Sequence, residues 1–190
     1  MIKKLVPDNH IVLSQQCKSF DLNTPPIDPN ILKSDLIETM HHYGGVGLSA
    51  NQIGLPYRVF SMIHENNDII LYNPQILQQS TQLTYEVEGC LSYPGLYVKI
   101  RRPINVYGTW YNEQGHQFQA YFSDLSCRVF LHEMDHMLGK VYYETASRFH
   151  MSEARRKRKP QLKKIKQKHY ELWQNHISNL KLKRNLVKPL

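Results

Sequence analysis

The first 27 residues show no apolar periodicity, and Thr24-Pro-Pro reads as an extended segment. From Asp28 the pattern turns helical. Leu32, Leu36, Met40 and Tyr43 recur at helical spacing, Asp28 suits an N-cap and Pro29 the first helical position, and Gly44-Gly45 stops the run, so a helix is predicted over Asp28–Tyr43. The next segment, Gly45-Val-Gly-Leu-Ser-Ala-Asn-Gln52, sets two glycines among small residues, which suggests a backbone that something approaches closely. Strand-like runs come after it at Tyr57–Ile63, Ile69–Tyr72, Gln82–Val87, Tyr97–Ile100, Ile104–Tyr111 and His116–Phe122. Asn66-Asn67-Asp68 reads as a turn between the first two, and Asn112-Glu-Gln-Gly115 as the loop of a hairpin. A second helix is expected from Ser123 or Asp124 to Leu138, ended by Gly139. On it Leu125, Val129, His132 and His136 form one stripe, which would turn both imidazoles inward.

The cations are concentrated at one end of the chain. From Met151 onward there are 13 Lys and Arg against Glu153 and Glu171, a net +11; the first 150 residues hold the other 11 basic and 14 acidic residues, a net −3. A mildly acidic body over residues 1–148 thus carries a basic extension over 149–190, expected to be helical from Met151 to about Asn179 with a break or restart at Pro160. No apolar run approaches the roughly 20 residues that span a bilayer. Met1-Ile-Lys-Lys resembles the start of a signal peptide, but Pro7, Asp8, Asn9 and His10 interrupt the apolar stretch such a peptide needs, so no signal peptide and no membrane contact are expected. Cys17, Cys90 and Cys127 are odd in number and widely spaced, which argues against a disulfide framework and for a reducing cytoplasm.

The strongest chemical signal is His132-Glu133-Met134-Asp135-His136. Two histidines four apart on a helix face can hold one metal ion, with the glutamate beside them to take a proton from water. Burying two unpaired imidazoles without such a role would be costly. Catalytic sites of this kind use three protein ligands and one open position. Downstream, Glu144 is a poorly spaced candidate for the third, as in a zincin-type metallopeptidase; upstream, Cys90 in Glu88-Gly-Cys-Leu-Ser92 offers a thiolate, although a lone cysteine is more often a small buried hydrophobe. His10, His64, His116 and His150 have no partner at metal spacing, and His41-His42 fit a helix end.

Gly45-Val-Gly-Leu-Ser-Ala-Asn-Gln52, Glu88-Gly-Cys-Leu-Ser92 and His132-Glu-Met-Asp-His136 occur in that order and together resemble the three motifs of the peptide deformylases, GxGLAAxQ, EGCLS and HExDH. Pro7-Asp8, Asn73-Pro74 and Tyr93-Pro94-Gly95 running into Arg101-Arg102-Pro103 add to the likeness, which covers about residues 1 to 147. Departures are Ser49 for alanine, Leu131 for glutamine and Met137 for leucine. The resemblance implies an α+β fold of small, mostly antiparallel sheets around a central HExxH helix. It implies removal of the formyl group from the formyl-methionine of nascent polypeptides, with release of formate. It also implies Cys90, His132 and His136 as ligands of one divalent ion per chain, Glu133 as acid and base, and Gln52 with the Leu91 main-chain N–H as donors to the oxyanion. Iron(II) is the implied native ion, with zinc, nickel or cobalt able to replace it.

Amide hydrolysis suits this set: a divalent ion lowers the pKa of bound water from 15.7 to about 7, and the hydroxide so formed attacks the formyl carbon. A tight site beside Gly45, Gly47 and Cys90 would admit formyl and exclude acetyl, and Val46, Leu125 and Val129 are the candidate walls for the methionine side chain. Glu88 is grouped with them on the substrate side, and it can also pair with Arg102 and steady the Cys90 loop. The basic extension 151–190 is expected to contact ribosomal RNA, with Tyr170 and Trp173 as packing residues, and the protein to act as a monomer. The competing readings are the zincin-type peptidase and a catalytically inactive RNA- or ribosome-binding relative.

Overall fold

A computed structural model of the chain describes residues 1–165 and residue 167. Helix α1 spans Pro29–His42. The Asp28 carboxylate caps it by accepting the Asn30 N–H at 2.8 Å, and Gly44 lets the chain leave at φ +69°. Its inner face buries Leu32, Leu36 and Met40 against Leu48, Val59, Ile70 and Tyr72.

Strand β1 (Gly47–Ser49) comes next and runs into a 3₁₀ turn, Ala50–Ile53. Three residues are too short a run for alternation to reveal. Strands β2 (Val59–His64) and β3 (Asn67–Gln79) meet at Glu65-Asn66, both with positive φ. That turn lies one residue earlier than Asn66–Asp68: a two-residue turn with both φ positive matches the strand twist and frees Asn67 and Asp68 to pair. Strand β3 also outruns its predicted end at Tyr72, because the register shifts between Tyr72 and Gln75 and the strand resumes. Asn73, at φ +50°, holds that irregularity by bonding the N–H and the carbonyl of Phe20 at 2.7 and 2.8 Å.

Strands β4 (Leu83–Glu88) and β5 (Val98–Pro103) form a separate two-stranded sheet, while β6 (Asn105–Tyr111) and β7 (Gln117–Ser123) complete a five-stranded one in the order β1-β2-β3-β6-β7. All strand pairs are antiparallel. The fold is therefore α+β with small antiparallel sheets.

Helix α2 spans Asp124–Met137. Val129, Phe130, Met134 and Met137 pack on Phe60, Met62, Leu71, Val106, Trp110 and Phe122 of the larger sheet, with Phe122 and Phe130 stacked at 4.7 Å. Burial begins only at Cys127. Leu125 is therefore 60% exposed, and the inward stripe predicted from it starts at Val129 instead. Leu131 lies in the same apolar cluster.

The start of the basic extension is docked. A third helix, α3, covers 148–165 and passes through Pro160 without a break. The proline forfeits one backbone bond there, while Leu162 and the Arg158 carbonyl lie against Gly95. Ala154 is buried with Val98, Ile100 and Tyr142, and Arg158 reaches Asp8 at 3.5 Å. The remainder of the extension, including Tyr170, Trp173 and the predicted helix end near Asn179, lies outside the described residues. Among the described residues no helix is long and apolar enough to cross a membrane.

Candidate metal centre

His132 and His136 leave α2 one turn apart, with ring centroids 5.2 Å apart. Cys90 comes from the turn after β4. Its sulfur lies 3.3 Å from His136 Nε2, and one donor atom from each of Cys90, His132 and His136 falls within 4.8 Å of the others. Bond lengths of about 2.3 Å to sulfur and 2.1 Å to nitrogen put tetrahedral ligand atoms about 3.6 Å apart, so this donor set fits a single divalent ion. Among the described residues it is the one such group. Glu144 is exposed and accepts the Val141 N–H of its own turn, away from the cluster.

Glu88 fixes the first histidine. Its Oε2 accepts from His132 Nδ1 at 3.1 Å and from Arg102 Nη2 at 2.9 Å; its Oε1 accepts from Arg102 Nε at 2.6 Å and Arg128 Nη1 at 2.7 Å. An ionised carboxylate only accepts, so Nδ1 carries the hydrogen and a neutral His132 presents Nε2 as its free lone pair. Burial alone would raise the Glu88 pKa, but the bonds from His132 and Arg102 outweigh it and hold the group at about 2. For His132 without a bound ion, burial is likewise outweighed, here by Cys90 and Glu88, and the ring is raised to about 10, so a cation must displace a proton to take Nε2. Burial, then the charges of His132 and Arg102, push His136 well below its ordinary value. The Tyr142 ring, anchored by its hydroxyl to the Leu96 carbonyl, lies 5.1 Å from His132.

Glu133 is 3% exposed and its Oε2 has no partner among the described residues. Burial raises its pKa to about 7 against the opposing pull of His132, Ser49 and Arg102. Gly47 is glycine because a Cβ there would sit 2.6 Å from Glu133 Oε1 and 2.7 Å from Val129 Cγ1; a Cβ on Gly45 would meet Leu91 Cδ1 at 2.7 Å. The Gln52 carboxamide is oriented by the Ser49 N–H, which can only donate and does so to Oε1 at 2.9 Å. Its Nε2 then points at Cys90 Sγ (3.4 Å) and Ser92 Oγ (3.0 Å).

The geometry thus brings together Cys90, His132, His136, Glu133, Gln52, Gly45, Gly47, Leu91 and Val129. Glu88 stands behind His132 with both oxygens occupied, and the predicted pair with Arg102 is present. Val46, 42% exposed, and Leu125 lie at the surface. Sequence reasoning missed Arg128, Ser92, Asn51 and Tyr142. For Arg128 a signal existed, since it lies four residues before His132 on the face meant to be buried. Asp135 also pairs with Arg102, at 2.9 Å.

An HExxH helix combined with a thiol from a distant turn defines a candidate metallohydrolase in which the helix alone does not complete the ligand set. The chain belongs to the polypeptide deformylase family, whose family model matches residues 2–152. It is 36% identical over 122 residues to a peptide deformylase of Thermotoga petrophila, spanning 63% of this chain and 74% of that one, and 34% identical over 137 residues to one of Desulforudis audaxviator, spanning 72% and 88%. Among solved structures it superposes on a peptide deformylase from Legionella pneumophila with a TM-score of 0.77 at 28% identity, covering 87% of this chain and 98% of that one. For the enzyme of Thermotoga maritima the values are 0.71, 32%, 77% and 99%.

Proposed function

We infer that Cys90, His132, His136 and Glu133 form the hydrolytic centre with which this deformylase removes the formyl group from the N-terminal formyl-methionine of nascent polypeptides. The observation that carries the reading is the closeness of the three donor atoms, within 4.8 Å of one another, beside a buried carboxylate oxygen that has no partner among the described residues. A divalent ion bound there would acidify a water molecule and polarise the formyl oxygen.

The chain's own groups supply the rest. The Glu133 carboxylate accepts the proton of the attacking water and returns it to the departing methionine amine. Gln52 Nε2 and the Leu91 N–H donate to the formyl oxygen as charge builds on it; loss of one such donor costs about 10²–10³ in rate. Glu88, clamped by Arg102 and Arg128, keeps His132 in the tautomer that offers Nε2. Gly45, Gly47 and Cys90 leave room for formyl and not for acetyl, and Val46, Leu125 and Val129 border the methionine side chain. The ion is Fe²⁺ in this reading, with Zn²⁺, Ni²⁺ or Co²⁺ able to take its place, and the HExxH helix is the centre around which the sheets are arranged. The protein acts as a cytoplasmic monomer, and its basic extension meets ribosomal RNA through cations beginning at Arg155.

The test is formate release from a formyl-methionyl peptide under anaerobic conditions, with metal content measured alongside. Wild type releases formate and Glu133→Ala is about 10²–10⁴-fold slower with metal retained. No release by the metal-loaded wild type overturns the reading in favour of an inactive relative.

A further inference from the structure

The turn carrying Gln52 is tied to the far end of the metal helix by two side chains outside the ligand set. Ser49, Asn51 and Gln52 are almost fully buried. The Ser49 hydroxyl has one hydrogen and three acceptors around it: Asn51 Oδ1 at 2.7 Å, Gln52 Oε1 at 3.1 Å, and the Glu133 carboxylate, on which it also pulls. The contact to Asn51 is the shortest, and Asn51 Oδ1 is turned to it because Nδ2 must donate to the His136 carbonyl, so Asn51 takes the hydrogen. With its oxygen turned to Ser49, Asn51 presents Nδ2 to the carbonyl of His136 and donates to it at 3.0 Å. The reverse amide orientation would set two oxygens face to face. The carbonyl so engaged is that of a ligand residue, and its second lone pair is taken by the Gly139 N–H at 3.1 Å. On the other side of the turn, Gln52 Nε2 faces Cys90 and Ser92.

We propose that Ser49 and Asn51 act as a relay of positioning residues: a hydroxyl-to-carboxamide chain that sets the distance between the Gln52 amide and the His132–His136 helix. The role given to Gln52 rests on the deformylase reading of the site. The relay itself rests only on the bonds above. Ser49 stands where the resembling motif has alanine, and Asn51 at that motif's unspecified position, so this device belongs to the present chain rather than to the motif. Buried hydrogen bonds are costly to leave half-made, which makes the two residues interdependent. A misplacement of about 1 Å at such a donor is worth on the order of 10² in rate.

The test uses the full chain as wild type, Ser49→Ala, Asn51→Ala, the double variant and Ser49→Thr, which keeps the hydroxyl. Two quantities are read: kcat and KM for formate release, and the side-chain amide resonances of Gln52 in metal-free protein. The relay predicts that Asn51→Ala lowers kcat about 10- to 100-fold with KM within about twofold. The double variant falls no further than Asn51→Ala alone, and Ser49→Thr recovers most of what Ser49→Ala loses. The Gln52 amide pair, sharp in wild type, broadens or doubles in both alanine variants. Losses that multiply in the double variant, single variants with unchanged kcat, or Gln52 resonances that do not respond would each overturn the relay. Should Asn51→Ala fail to fold, the Gln52 resonances of Ser49→Ala against Ser49→Thr decide it. A wild type that releases no formate defeats the functional reading, whereas the resonances still decide the relay.

Discussion

The Glu88 carboxylate accepts the Nδ1 hydrogen of His132 at 3.1 Å while two arginines hold it from the other side. One buried charge thereby fixes the first histidine's tautomer and ties β4 to α2. Its folded pKa, about 2, lies below the ordinary value of 4.5. A depressed carboxylate stabilises the fold fully above its unfolded pKa and loses that contribution as pH falls through the folded one. Wild type should therefore lose about 3 kcal/mol between roughly pH 4.5 and 2, and Glu88→Gln should flatten that slope. Because Glu88→Gln also leaves Arg128 and Arg102 short of a charge, it should cost about 3–5 kcal/mol at neutral pH. Urea unfolding across pH measures both effects.

Gly47→Ala should slow deformylation at least about tenfold. The added Cβ meets both Glu133 Oε1 and Val129 Cγ1 inside van der Waals contact, and one of them must move. Overpacking of this kind costs about 1–3 kcal/mol, which a thermal melt would register as a modest drop while kcat registers the displaced carboxylate. Gly115→Ala serves as a control. It strains a turn at φ +80° but touches nothing within 4 Å, and should leave kcat alone.

Much of this architecture was legible in the chain. The capped helix α1, the hairpin over Asn112–Gly115 and the span of α2 each rest on local rules that tertiary packing did not override. The ligand set was legible only through three motifs in order, since Cys90 and His136 are 46 positions apart and no local pattern joins them. Helical spacing also overreached. It counted Leu125 as inward because periodicity records which face a residue is on and not where along the helix burial starts. Arg128 was missed for the opposite reason: its place on the buried face was a signal, but an arginine there reads as an outlier until the carboxylate it clamps, 40 residues earlier, is in view.

The ribosome reading of the extension can be tested without disturbing the core. Ala154 is buried with Val98, Ile100 and Tyr142, so a cut at residue 151 would open that cluster, whereas ending the chain after residue 165 removes Lys166, Lys168, Lys181, Lys183, Arg184 and Lys188 and spares it. The full chain should co-sediment with ribosomes at low salt and release steeply as salt rises, as counterion-driven binding does. The shortened chain should bind markedly less. Equal binding by both would remove the role assigned to those cations.

Cys90→Ser should lower metal occupancy after dialysis against a chelator, because a hydroxyl replaces a thiolate in a three-ligand set. Glu144→Ala should leave occupancy unchanged, since that side chain is exposed and bonded within its own turn.

One sulfur and two imidazoles carry the whole account. X-ray absorption at the metal edge of the loaded protein measures that shell directly. The prediction is one sulfur scatterer at about 2.3 Å and two imidazole nitrogens at about 2.1 Å, with the sulfur lost in Cys90→Ser. A shell of nitrogen and oxygen alone in the wild-type protein would contradict it.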